Sequence, residues 1–339
     1  MTEEKIVAKT RGVDKQLFEY HPVVGYRFIP NLQTRVQHES GGYLVKANSL
    51  GFRSDQEFSP AKKEGKKRIL LFGDSFTEGD GVSNKKRYSD LLMQLLPDTE
   101  VFNFGLRGTG TDQHYLIYNE FAKNIEHDML MIVVYVENIR RVNAKYRFYL
   151  NDEGEKIVYQ KPYFELEKGS LVLKNTPVNP NQVKYEELPE EEKGRVVREG
   201  RFAGLRRLVK KMGLKELAQK VSHYQQYHEY SSSNTKEWQL MKAILTKWIS
   251  EADKPVLLVT LPTHHYVDEG SDFTVIARRF RELEGLKNLT VFNPLADFKK
   301  YPAEERRKFR FGVDVHPTPL GHQVYAQTFK PVIEKILTK

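Results

Sequence analysis

Ser75, Asp314 and His316 are the residue types from which a nucleophilic acyl-transfer site is assembled. A serine alcohol attacks poorly near neutral pH unless a base lies beside it, and the base needs a third group to orient it. Ser75 stands in RILLFGDSFTEGDGVSN, residues 68–84, where a short apolar run meets Gly73, Asp74 and Ser75. Asp314 and His316 open DVHPTPLGH, just before the last helical pattern. Such a reaction also needs donors aimed at the developing oxyanion. The backbone N–H groups of Ser75 and Gly108 and the side-chain amide of Asn138 are candidates, and glycine at 108 lets backbone approach a substrate with no Cβ in the way. A strand followed by Gly-Asp-Ser is also an ordinary helix cap. For Ser75 taken alone, cap and nucleophile both remain open.

The elements that must position these residues alternate between short β-rich apolar runs and helical patterns, the signature of a parallel α/β sheet. Strands are expected at residues 68–72, 101–104, 129–136, 255–262 and 289–294, with helices near 88–96, 113–124, 238–250 and 320–337. The run 129–136, MLMIVVYV, has the unbroken apolarity of a strand buried on both faces. The expected fold is a three-layer α/β/α sandwich with a central parallel sheet, and ligands of such sheets bind at the carboxyl ends of the strands. Besides Ser75, Gly108 and Asn138, those ends carry Glu137, His264 and His265, which are candidate substrate contacts.

Three parts are expected: an N-terminal wrap over residues 1–65, the α/β domain over 66–138 and 236–339, and an inserted lid-like α+β subdomain over 139–235. The insertion is too long for a loop of a compact domain. It holds KPYFELEKGSLVLKN, two strands around a Lys-Gly-Ser turn, and a basic stretch with Phe202, Leu205, Leu208, Val209, Leu217 and Val221 at helical spacing. Aromatics at its start, Tyr146, Phe148, Tyr149, Tyr163 and Phe164, are either a sugar-stacking wall or the subdomain's own core. In the prefix, Arg53 of NSLGFRS is either a guanidinium presented to the site or part of a wrap that packs Phe52 on the core.

The blocks FGDSFTEGDGV, NFGLRGTGT, VVYVENI and DVHPTPLGH, in this order, resemble the SGNH (GDSL-like) hydrolases. That resemblance implies Ser75 as nucleophile, Gly108 and Asn138 as oxyanion donors with the Ser75 N–H, His316 as base and Asp314 as its orienter. It covers residues 68–339, with a large insertion after the asparagine block. The prefix motifs HPVVGYRFIPN and NSLGFRS are similar to those of bacterial members associated with carbohydrate or lipid modification. Two departures stand out: Glu137 precedes Asn138 where the family usually has glycine, and the last block is Asp-x-His rather than Asp-x-x-His. The resemblance implies an esterase acting on a short acyl group, such as acetyl, on a sugar or small hydroxylated metabolite. The same triad would serve an acyltransferase with an alcohol or amine acceptor, and a catalytically silent binding protein is the reading from another class.

Composition narrows the partners. The chain has 339 residues, a net charge of +9 and no cysteine, so disulfides, thiolate metal sites and cysteine nucleophiles are excluded. The basic residues sit in short runs interleaved with glutamate and carry no zinc-finger or RRM signature, which argues against nucleic acid. No metal is expected, since adjacent His264 and His265 usually point apart and no ligand spacing backs them. No cofactor is expected either. The opening residues show no signal-peptide pattern and no run of about 18 apolar residues occurs, so a cytoplasmic location without a membrane span is expected.

Overall fold

The computed structural model describes residues 17–150, 156–193, 227–268 and 271–338. The basic amphipathic stretch from Phe202 to Val221 lies outside them. Residues ahead of the main sheet form two antiparallel hairpins, β1 (Phe18–His21) with β2 (Gly25–Phe28) and β3 (Gln33–Val36) with β4 (Tyr43–Lys46). The central strands follow as β5 (Lys67–Phe72), β6 (Thr99–Asn103) and β7 (Met129–Tyr135). Then come β8 (Tyr146–Leu150), β9 (Lys156–Gln160), β10 (Tyr163–Glu167), β11 (Ser170–Lys174) and β12 (Gln182–Val183). The chain returns to the centre with β13 (Val256–Leu261) and β14 (Leu289–Phe292).

The main sheet has five strands in the order β14-β13-β7-β5-β6, and every pair is parallel. Each residue of β7 and β13 is buried, as unbroken apolar strands covered on both faces must be. Helix Pro319–Leu337 packs on helix Tyr88–Leu95, while helix Lys236–Glu251 packs on Thr111–Ile117 and Asn138–Val142. With right-handed crossovers these two groups fall on opposite faces, giving three layers. The expected helix near 113–124 is α-helical only to Ile117 and continues as a π-turn, Tyr118–Ala122. There Tyr118 wedges against Phe72 and Trp248, with ring centroids 5.9 and 5.7 Å apart.

Phe52 of the prefix is fully buried and meets Phe104 and Phe121 edge-on, so residues near it pack into the main core. The inserted segment builds two small antiparallel sheets, β12-β9-β8 and β10-β11. The turn of β10-β11 has Lys168 and Gly169 both at positive φ, 50° and 82°, the backbone that matches the twist of a two-residue hairpin. No helix of the described residues is long and apolar enough to cross a membrane.

Candidate active site

Ser75 opens a one-turn helix, Ser75–Glu78, at the carboxyl end of β5. The cap of that helix is Asp74, whose carboxylate accepts the Phe76 N–H at 3.0 Å. Ser75 therefore does not spend its hydroxyl on capping, and its Oγ lies 2.7 Å from Nε2 of His316. His316 Nδ1 is 2.5 Å from Asp314 Oδ1, and the same oxygen accepts the His316 backbone N–H at 3.1 Å. The two-residue Asp-x-His spacing thus closes an Asx-type turn that holds carboxylate and imidazole together. Because a carboxylate only accepts, Nδ1 carries the proton of the neutral ring and Nε2 is left to accept from Ser75.

Asp314 is held from a second side by residues that the sequence pattern does not single out. His38, in the turn between β3 and β4, places Nε2 3.3 Å from Asp314 Oδ2, and its side chain is only 4% exposed. The Ser40 backbone N–H donates to His38 Nδ1, so the His38 proton sits on Nε2 and points to Asp314. The Glu39 carboxylate accepts the Val313 and Asp314 backbone N–H groups, the latter at 2.6 Å. His38 and Asp314 are 276 residues apart, so no local pattern pairs them.

Burial by itself raises the Asp314 carboxyl, but the His316 charge and hydrogen bonds from His316 and His38 hold it well below the usual carboxylate range. Burial would lower His316, yet the Asp314 carboxylate, with Asp80 and Asp74 further off, raises it to about 9.

The candidate oxyanion donors come from two further loops. Asn138 is fully buried at the end of β7, and neither its amide nitrogen nor its oxygen has a partner among the described residues. A buried amide left unpaired is costly unless something is meant to occupy it. Gly108 is in the left-handed region at φ 75°, and a Cβ there would stand 3.1 Å from the Tyr26 hydroxyl. A Cβ at Gly105 would lie 2.5 Å from the Glu78 nitrogen, so glycine is what lets this loop abut the Ser75 helix. Arg141, one turn beyond Asn138, ties the site together by reaching Asp74 Oδ2 at 2.9 Å and the Thr109 carbonyl at 3.2 Å.

Other candidates fare differently. Arg53 is corrected: it is 0% exposed, and its guanidinium donates to Glu78, Asn84 and the Gly79 and Val82 carbonyls. Glu78, also fully buried, is shared with Arg107, so Arg53 belongs to an ion cluster behind the Ser75 helix and offers nothing to a ligand. Glu137 accepts from the Tyr227 hydroxyl at 3.2 Å. His264 and His265 do not point apart; their rings lie 3.8 Å centroid to centroid at the start of helix His264–Val267. Among the described residues, no group of three or more His, Cys, Asp or Glu converges as a metal site would require. His322 is buried, accepts the Tyr88 N–H and has its pKa pushed down to about 3 by that burial.

No family model matches this chain, and no curated protein sequence does. Solved structures similar to it include a member of the lipolytic protein G-D-S-L family from Veillonella parvula, at 12% identity. It covers 79% of this chain and 99% of that one, with a TM-score of 0.42. A lipase/acylhydrolase from Enterococcus faecalis is 14% identical over 79% of this chain and 96% of that one, TM-score 0.41. A two-domain esterase active on acetylated mannans is 13% identical over 81% of this chain and 51% of that one, TM-score 0.39.

Proposed function

We propose that this chain is a serine esterase of the SGNH type, with Ser75 as nucleophile, His316 as general base and Asp314 as its orienter. The observation that carries the reading is the continuous hydrogen-bond relay from Ser75 Oγ through His316 to Asp314. In the first half-reaction His316 Nε2 takes the Ser75 proton as Oγ bonds to the ester carbonyl carbon. The Ser75 and Gly108 N–H groups and the Asn138 amide receive the oxyanion, for which the unpaired Asn138 side chain is suited. His316 then gives its proton to the departing alcohol, and the C–O ester bond breaks to leave an acyl-Ser75. Water attacks this acyl group with His316 again as base, releasing the carboxylic acid and restoring Ser75.

Phe76, Val315 and Pro317, the chain neighbours of Ser75 and His316, line a small open cavity together with His264. The substrate we favour is an acetyl ester of a sugar or small hydroxylated metabolite, as the resemblance of the sequence blocks implies, with water as the acceptor.

Treatment with a fluorophosphonate serine probe followed by intact-protein mass spectrometry tests the reading. One adduct on the wild type and none on Ser75→Ala is expected. An adduct that survives in Ser75→Ala, or none on the wild type, overturns it.

A further inference from the structure

A second cavity, of about 200 Å³, lies between hairpin β1-β2 and strands β8 and β9, outside the triad. Its walls come wholly from the prefix and the insertion. The two are hydrogen-bonded to each other over it: the Tyr20 hydroxyl donates to the Val178 carbonyl, and the Val178 N–H to that of Pro22. Phe18, Tyr20, Tyr26 and Tyr159 supply aromatic surface, and Gln160 and Asn179 supply amide groups. The Arg147 guanidinium also lines it, 3.8 Å above the Tyr26 ring.

The cavity adjoins the glycine loop of the active site. The open side of Gly108 faces Tyr26 and Arg147, at 3.1 and 3.6 Å from where a Cβ would stand, and the Tyr26 hydroxyl donates to the Arg107 carbonyl. Lys161, on the cavity wall, is bonded to Asp112 and to the Arg141 carbonyl, and Arg141 in turn holds Asp74 next to Ser75.

We propose that this cavity is a binding site for the alcohol part of the substrate, a single hydroxylated ring of pyranose size; the proposal rests on the esterase reading of Ser75. Size argues for one ring, since a cavity of roughly 150 Å³ holds a benzene and drug-sized ligands need about 300 Å³ or more. Chemistry argues for a hydroxylated ring over an acyl tail. An alkyl chain calls for an aliphatic lining, whereas Val178 and Pro180 are the aliphatic side chains here among aromatic and polar ones. Aromatic rings cover the C–H face of a sugar ring, and amides at the edge hydrogen-bond its hydroxyls, as in other mixed apolar pockets with a few placed polar groups. Of the aromatics at the start of the insertion, Phe164 is buried against Tyr115 in the core, in line with the core alternative.

Saturation-transfer NMR on the full chain with a panel of methyl hexopyranosides, and separately with octanoate, tests the site without requiring turnover. Transfer to the ring protons of at least one glycoside is expected, with at least a tenfold weaker response in Tyr159→Leu and in Gln160→Ala. Thermal melting of both variants is the folding control, and Gln160→Ala alone suffices if Tyr159→Leu does not fold. No transfer to any glycoside, transfer unchanged in a folded variant, or transfer to octanoate alone overturns the proposal. Fluorophosphonate labelling of Ser75 reports on the esterase reading separately, so a labelled protein that ignores the glycosides condemns the cavity and not the triad.

Discussion

Strands β6, β7 and β13 are buried at every residue, whereas β3, β10 and β11 keep exposed or half-buried residues along most of their length. The difference separates a scaffold from its fittings. The central sheet is held by apolar burial on both faces and delivers Ser75 and Asn138 to one edge. The prefix and the insertion have smaller, half-solvated sheets, and their polar residues reach the site directly: His38 and Glu39 at Asp314, Lys161 at Asp112 and Tyr26 at the glycine loop. The proposed nucleophile and the Asn138 amide are thus mounted at the end of the central sheet, and residues of the additions reach the groups around them.

Substitutions on the two sides sharpen that contrast. The largest effect is expected for Ser75→Ala, which should lower kcat for 4-nitrophenyl acetate by about 10⁶-fold with melting unchanged. Asp314→Asn follows, at roughly 10⁴-fold, because the imidazole loses its orienter. It should also move the pH profile. The base must be unprotonated to accept the Ser75 proton, so kcat/KM falls with acid, and the raised His316 pKa puts the wild-type limb above pH 6.5. Removing the Asp314 charge shifts that limb to lower pH; a profile that stays in place would mean another group sets it.

Arg53→Met should act on the scaffold alone. Opening the buried pair with Glu78 costs about 3–5 kcal/mol, read as a lower denaturant midpoint, while KM of the folded fraction stays at the wild-type value. A raised KM with unchanged stability would restore Arg53 as a substrate contact. The smallest effect is expected for His38→Ala, which removes one hydrogen bond to the Asp314 carboxylate, worth about 1.5 kcal/mol or roughly tenfold in kcat. Such a loss in kcat with KM unchanged would place the prefix in the positioning of Asp314; equal loss of stability and no loss of kcat would leave it a structural wrap.

Much of the scaffold was legible because its signals are local. Short β-rich apolar runs marked the five parallel strands, and Gly-Asp-Ser marked the first loop, although the pattern could not say whether Ser75 was cap or nucleophile. Arg53 was illegible for the opposite reason. An arginine beside Gly51 and Phe52 looks the same whether it faces a ligand or a buried glutamate, and only the position of Glu78 decides. The two N-terminal hairpins were missed because their strands are four residues each, too short for a period to show.

By itself the sequence determined the sheet, the order of its loops and the residue types offered at its edge, since these follow from hydrophobic runs and turn residues read within a few positions. Tertiary structure alone decided that Ser75 meets His316, that His38 reaches Asp314, and that prefix and insertion line one cavity beside Gly108. Those are meetings between segments far apart in the chain, set by how buried faces pack and where the remaining polar groups find partners.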